Sequence, residues 1–166
     1  MDKELFALAE ETGRALAARG WMLATAESCT GGWVGQAVTM VPGSSRWFDR
    51  GFVTYSNDAK QAMLGVAAET LARFGAVSEQ AVREMATGAL ARSAAQIAVA
   101  VSGVAGPEGG TADKPVGTVW IAWAVRGGAC TARTYRFGGD REAVRRQSVI
   151  RALQGVAQAA DIGQTA

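Results

Sequence analysis

Ile97-Ala98-Val99-Ala100-Val101, set between Gln96 and Ser102, decides the fold. Five apolar residues follow one another with no polar residue at alternate positions. That pattern describes a strand covered on both faces, at the centre of a sheet with helices above and below. On its N-terminal side, Ser78–Ser93 reads as a helix, with Ser78 as N-cap and Glu79 in the first turn. Further upstream, residues 3–19 place Leu5, Leu8, Ala9, Leu16 and Ala17 at helical spacing, and Gly20 stops the pattern. Trp21–Thr25 reads as a short buried strand and Gly32–Thr39 as a helix ended by Val41-Pro42-Gly43. Trp47–Tyr55 holds strand-forming residues, with Gly51 as a bulge or break. Asn57–Leu64, capped by Ser56 or Asn57, and Ala68–Phe74, closed by Gly75, read as short helices.

On the C-terminal side of the central run, Ser102–Val116 is a glycine-rich loop with two prolines. Gly117–Val125 and Cys130–Phe137 follow as strands joined through Arg126-Gly127-Gly128, a hairpin signal. Asp140–Ala160 is a closing helix, and Gly163–Ala166 a frayed end. Alternating strands and helices followed by one hairpin predict a three-layer α/β/α sandwich with a mixed sheet including a C-terminal antiparallel hairpin. A single domain over residues 1–162 accounts for the whole pattern.

Composition narrows the function. With 166 residues, 49% apolar and 19% charged, the chain is long enough to bury a core and is not disordered. A net charge of +2, with no basic run and no aromatics interleaved with Lys or Arg, argues against a nucleic-acid partner. No apolar stretch reaches the roughly 18 residues of a membrane span, so no membrane partner is expected. Met1-Asp2-Lys3-Glu4 opens an amphipathic helix rather than a signal peptide. Two cysteines, Cys29 and Cys130, cannot make a disulfide framework, and without histidine they cannot make a zinc site, so no metal and no cofactor is expected. A soluble cytoplasmic protein is the default reading.

The chain contains no histidine, which constrains any catalytic reading. Thr25-Ala26-Glu27-Ser28-Cys29-Thr30-Gly31-Gly32 runs from a strand through a hydroxyl-rich, glycine-paired turn into a helix. Ser28 there is either a nucleophile, with the N–H groups of Thr30, Gly31 and Gly32 as an oxyanion hole, or a helix cap shared with Thr30. Cys29 is a rival nucleophile or a small buried residue. Glu27, Asp49 and Asp58 form no cluster with metal-ligand spacing. If Ser28 is a nucleophile, its base is not histidine. Lys60, in the first turn of the helix that begins near Asn57, is the candidate, the alternative being a solvated surface lysine. To serve near neutrality it must fall by roughly three pKa units, about 4 kcal/mol. The helix dipole supplies about 1 kcal/mol or less, so burial must provide most of it. Tyr55 either relays a proton or bonds Ser28, or is an ordinary strand aromatic with its hydroxyl at the rim. The loop Ser102-Gly103-Val104-Ala105-Gly106-Pro107-Glu108-Gly109-Gly110 leaves the carboxyl end of the central strand, where open α/β sheets collect ligands. It either lets backbone approach a phosphate or sugar, or is a plain surface connection. Arg141 and Arg145 share a face of the last helix beside Arg146, as a phosphate-binding pair or as a solvated basic face.

Ala26-Glu27-Ser28-Cys29-Thr30-Gly31-Gly32, Tyr55-Ser56-Asn57 followed by Lys60, Ser102-Gly103-Val104-Ala105-Gly106-Pro107 with Gly109-Gly110, and Lys114-Pro115-Val116-Gly117 together resemble the CinA C-terminal domain family. These are the nicotinamide-nucleotide amidohydrolases, or NMN deamidases. The resemblance runs in order over about residues 5 to 160. It implies hydrolysis of the carboxamide of nicotinamide mononucleotide to nicotinic acid mononucleotide and ammonia, in pyridine-nucleotide salvage. It further implies Ser28 as nucleophile, Lys60 as general base and Tyr55 as the supporting hydroxyl. Thr30, Gly31, Gly32, Ser102, Gly103, Ala105, Gly106 and Gly109 would contact substrate, and Arg141 would close the site. The family commonly has threonine where this chain has Ser102, so the hydroxyl survives and the methyl does not. The partner implied is a small nucleotide, and the assembly a homodimer.

Overall fold

A computed structural model describes residues 1–165; the fraying expected of Gly163–Ala166 lies outside the residues whose side chains are described. Five strands form one sheet: β1 (Leu23–Glu27), β2 (Phe48–Val53), β3 (Ile97–Gly103), β4 (Thr118–Val125) and β5 (Cys130–Arg136), in the order β2-β1-β3-β4-β5. β1 is parallel to β2 and β3, whereas β3–β4 and β4–β5 are antiparallel. The sheet is therefore mixed and ends in the expected hairpin. Among the described residues six α-helices accompany it: α1 (Lys3–Arg19), α2 (Trp33–Thr39), α3 (Asn57–Leu64), α4 (Ala68–Phe74), α5 (Glu79–Ala91) and α6 (Arg141–Thr165), with one 3-10 turn at Ser44–Arg46. α1, α2 and α6 pack together on one face, and α3 and α4 pack on α5 across the other, giving the three layers.

The apolar run that predicted a central strand alternates in size, and that alternation builds two unlike cores. Ile97, Val99 and Val101 point into the layer of α1, α2 and α6, with Leu5, Leu16, Leu23, Val34 and Leu153. Ala98 and Ala100 face α5 and meet Ala81, Val82, Met85, Ala86 and Ala89. Small residues on both sides of this second interface let α5 lie close to the sheet. Gly88 of α5 carries the approach further: a Cβ there would run into the Leu64 carbonyl at the end of α3.

Local signals set most of the boundaries. Ser56 caps α3 by accepting from the Ala59 N–H at 3.0 Å, and Ser78 caps α5 by accepting from Ala81 at 3.1 Å. Asp2 caps α1, and Gly20 ends it in the left-handed region at φ 65°. Four expectations shift. α6 runs to Thr165, beyond the expected end at Ala160. β1 lies two residues later than Trp21–Thr25, because Trp21 still donates to Leu16 at the end of α1. β2 is shorter than Trp47–Tyr55, and its irregularity is at Asp49, where the register slips between Leu23–Phe48 and Ala24–Arg50. Gly51 pairs regularly with Thr25; it is small because a Cβ would press on the Thr25 hydroxyl.

The topology also places the site. β1 leads into α2 on one face and β2 leads into α3 on the other. The carboxyl ends of β1, β2 and β3 therefore open between the layers, in the usual position for a ligand in an open α/β sheet.

Candidate active site

Ser28 follows β1 directly, and its N–H donates to Val101 O of β3 at 2.9 Å, which fixes it at the end of the central strands. It is buried, but it does not cap α2. The capping residue is Gly32, at φ 102°, with no side-chain cap bond. The capping work is done by Glu27, 2% exposed: Oε1 accepts from the Val34 N–H at 2.8 Å and from the Thr30 hydroxyl at 2.6 Å, and Oε2 accepts from the Gly35 N–H at 3.0 Å. With its helix capped from elsewhere, the Ser28 hydroxyl is left for Lys60.

Lys60 is 1% exposed, on the first turn of α3. Its Nζ lies 3.1 Å from Ser28 Oγ, 3.0 Å from Thr54 O and 3.4 Å from Tyr55 O. Among the described residues no carboxylate forms an ion pair with it. Burial lowers its pKa below the ordinary lysine value and outweighs the opposing electrostatic effect of Cys29. The three neighbours then define what the amine can do. Two are carbonyls, which only accept, so they take two N–H bonds. In the neutral amine the lone pair is left for the third direction, toward the Ser28 hydroxyl, and Ser28 donates to Lys60. In the ammonium the same contact reverses, and Lys60 donates to Ser28 Oγ. The geometry therefore suits both removing and returning a proton at one oxygen.

Cys29 does not share this chemistry. It is buried in the core with Val34 and Val101, and burial pushes its thiol up to about 11. A thiol so placed is a poor nucleophile near neutrality.

The turn N–H groups divide unequally. Gly31 N–H donates to Ser28 O at 3.0 Å, so it is not the oxyanion donor expected from sequence. Among the described residues, no protein acceptor takes the N–H of Thr30 or of Gly32. Arg145 holds the outer side of the turn: Nε donates to Cys29 O and Nη2 to Thr30 O, each at 3.1 Å, with the guanidinium over the Trp33 ring at 5.3 Å.

Tyr55 sits beyond the end of β2, 62% exposed. Its carbonyl accepts from Lys60, but its hydroxyl accepts from Arg141 Nη2 at 3.0 Å and is not placed on Ser28. Arg141 opens α6 and also donates to Gly106 O at 2.7 Å, joining Tyr55 to the glycine-rich loop. Ser102 and Gly103 are the last two residues of β3, Ser102 buried. Ala105 and Gly106 are buried where the loop passes α6, and Gly109 lies on its exposed arm. Ala105, Gly106, Pro107 and Val116 face Gly139–Glu142 across a cavity, which adjoins a shallower one lined by Trp33, Arg141, Glu142 and Arg145. A trough thus runs from the loop past Arg141 to the start of α2. All three arginines of the basic cluster are engaged with the protein, Arg146 with Asp2 and Glu4, although Arg141 itself stays exposed.

Sequence reasoning missed Glu27 and the role of Arg145. From sequence, Glu27 stands out only for lacking partners at metal-ligand spacing. The available signal was its place at the end of a buried apolar strand, where the N–H groups of the next helix are its natural partners.

Comparison with known proteins bears on the family and the fold. The family model described as "CinA C-terminal domain" matches residues 5–160. The protein named "Nicotinamide-nucleotide amidohydrolase PncC" from Escherichia coli (strain K12) is 58% identical over 153 residues, covering 92% of this chain and 93% of that protein. A protein of the same name from Pseudomonas putida is 53% identical over 151 residues, covering 91% and 94%. Among solved structures, that of competence/damage inducible protein CihA from Agrobacterium tumefaciens superposes with a TM-score of 0.91 at 48% identity, covering 95% of each chain. With the family model spanning nearly all of the sequence and relatives more than half identical over the same length, the chain belongs to the CinA C-terminal domain family.

Proposed function

We propose that this chain is a nicotinamide-nucleotide amidohydrolase that converts nicotinamide mononucleotide and water to nicotinic acid mononucleotide and ammonia, using Ser28 and Lys60. The substrate rests on the names of the close relatives. The mechanism rests on one observation: a buried lysine amine, without a carboxylate partner, 3.1 Å from a serine hydroxyl at the carboxyl end of the central strands.

Neutral Lys60 takes the Ser28 proton as Oγ attacks the carboxamide carbon. The tetrahedral oxyanion is met by the N–H groups of Thr30 and Gly32. Donors of this kind are worth roughly 10²–10³ in rate apiece. Lys60, now the ammonium, returns the proton to the departing nitrogen, and ammonia leaves. Water then attacks the acyl-serine with Lys60 again as base, and Ser28 is regenerated with the carboxylate product. Tyr55 supports the site in two ways, through its carbonyl on Lys60 and its hydroxyl on Arg141. The nucleotide lies in the trough, its phosphate toward Gly103, Ala105, Gly106 and Gly109, with Ser102 at the root of the loop and Arg141 across it. The homodimer, the cytoplasmic location and the salvage role that the resemblance implies are part of the same proposal. No helix among the described residues is long and apolar enough to cross a membrane.

The test is ammonia release from nicotinamide mononucleotide. Wild type should release ammonia stoichiometrically with nicotinic acid mononucleotide, and Ser28→Ala should lose about 10³-fold or more in kcat. A wild type that binds the nucleotide without hydrolysing it would reduce the protein to a binding module. Full activity in Ser28→Ala would remove the serine mechanism.

A further inference from the structure

We propose that Glu27 and Arg145 are positioning residues that hold the Ser28 turn from opposite sides and so set its unpaired N–H groups for the oxyanion. This rests on the reading of Ser28 as the nucleophile.

The turn between β1 and α2 is short and carries two glycines at positive φ, Gly31 at 61° and Gly32 at 102°. Such a backbone has freedom that something must remove. Glu27 grips its donors: the Thr30 hydroxyl and the N–H groups of Val34 and Gly35 all end on one buried carboxylate. Arg145 grips its acceptors, the carbonyls of Cys29 and Thr30. The Cys29–Thr30 peptide is trans, so its C=O and N–H point opposite ways. Fixing the Cys29 carbonyl on Arg145 therefore fixes the Thr30 N–H in the opposite direction, away from the arginine. The next peptide shows the same logic completed: Thr30 O goes to Arg145 and Gly31 N–H to Ser28 O. Two full charges are thus spent on a turn that contains the nucleophile, and neither charge is paired with the other or placed on Ser28 or Lys60. A donor displaced by about 1 Å costs on the order of 10²-fold in rate, which is the effect such a clamp prevents.

Chemistry makes Glu27→Gln a sharp substitution. All three partners of Glu27 are donors, and an amide can offer only one oxygen to them, so its NH2 must face a donor. The readout is labelling of Ser28 by a neutral fluorophosphonate, followed by intact mass, alongside kcat and KM for nicotinamide mononucleotide and thermal unfolding. Folded Glu27→Gln and Arg145→Met should each label about 10²-fold more slowly and lose kcat in parallel, with KM unchanged. Labelling at the wild-type rate in folded Glu27→Gln overturns the proposal, as does a loss of kcat accompanied by an equal loss of substrate binding. If Arg145→Met raises KM and leaves labelling untouched, Arg145 is a phosphate ligand and not a positioning residue. Should Glu27→Gln fail to fold, Thr30→Val decides, because it removes the hydroxyl that Glu27 holds and keeps the backbone N–H. It should label about 10²-fold more slowly, and labelling at the wild-type rate in the folded variant overturns the proposal. A wild type that labels at Ser28 but releases no ammonia refutes the substrate reading alone, leaving the clamp to be judged on labelling. A wild type that does not label at Ser28 refutes both.

Discussion

At the scale of a residue, the main cost in this fold is Lys60. A buried amine with carbonyl and hydroxyl neighbours and no carboxylate is held toward its neutral form, and that has a thermodynamic signature separate from catalysis. Its folded-state pKa lies below the ordinary 10.5, so between the two values the unfolded chain binds a proton that the folded chain does not. Stability from this residue is therefore lowest below the folded pKa and rises as pH increases through the window up to 10.5. Lys60→Met has no such dependence. The stability of Lys60→Met relative to wild type should fall as pH rises from the lowered pKa of Lys60 toward 10.5, whatever its offset from the lost carbonyl contacts. Urea midpoints of the two proteins across that range measure it, and a constant difference would mean Lys60 titrates like a surface lysine. The same variant should lose about 10³-fold in kcat, while wild-type kcat/KM rises with pH through the lowered pKa of Lys60 and then levels. The sequence carried Ser28 and Lys60 because a chain without histidine leaves few bases to consider. It did not carry Glu27, whose partners are backbone N–H groups and leave no motif, nor the Tyr55 hydroxyl, whose partner Arg141 is 86 residues away.

At the scale of an element, α3 must be held where its lysine reaches Ser28, and α5 is what holds it. Gly88 of α5 lies against the Leu64 carbonyl at the last residue of α3. By helix propensity alone Gly88→Ala should stabilise α5 by about 1 kcal/mol. The steric conflict is with backbone, which cannot rotate away, and overpacking of this kind costs about 1–3 kcal/mol. The conflict should win or at best break even, and α3 should shift. The expected outcome is a melting temperature no higher than wild type, with kcat reduced through the displaced Lys60. Thr87→Ala, one residue earlier on the exposed face of the same helix, should change neither measurably. A Gly88→Ala protein that is more stable and fully active would show that α5 does not set the position of α3. The elements themselves were legible because caps and apolar spacing are local: Ser56, Ser78 and Gly20 each act within four residues of where they stand. The ends of β1 and β2 were not legible, since they depend on a register slip against a neighbouring strand.

At the scale of the whole molecule, the layer that covers the Ser28 side of the sheet is made from both ends of the chain, α1 and α6. Pattern could assign both helices but not their contact, because the residues that join them are 144 positions apart. Arg146 donates to Asp2 from Nε at 2.8 Å and from Nη2 at 3.1 Å, and Nη2 also reaches Glu4 at 2.6 Å. Asp2 at the same time accepts from the Leu5 N–H at 3.1 Å as the cap of α1. The Arg146 guanidinium, then the Leu5 N–H, hold the Asp2 carboxyl down at about 2 from its ordinary 3.8. A depressed carboxylate contributes stability that is complete above the unfolded value and lost as pH falls through the folded one. Two substitutions separate the cap from the charge. Asp2→Asn keeps a good capping side chain and loses only the ion pair, which is half-exposed and worth about 0–1 kcal/mol. Asp2→Ala loses both, and the cap adds about 1 kcal/mol. At neutral pH the order of stability should be wild type, Asp2→Asn, Asp2→Ala, with the first gap shrinking in about 1 M salt. Between pH 3.8 and 2 the wild type should fall onto Asp2→Asn, because protonation makes the two carboxyl-derived groups equally neutral. Urea unfolding followed by circular dichroism at neutral pH and near pH 2 provides the comparison. A gap between wild type and Asp2→Asn that persists unchanged at the acid end would mean the two chain termini are joined by packing alone, with Arg146 contributing no charge-dependent stability.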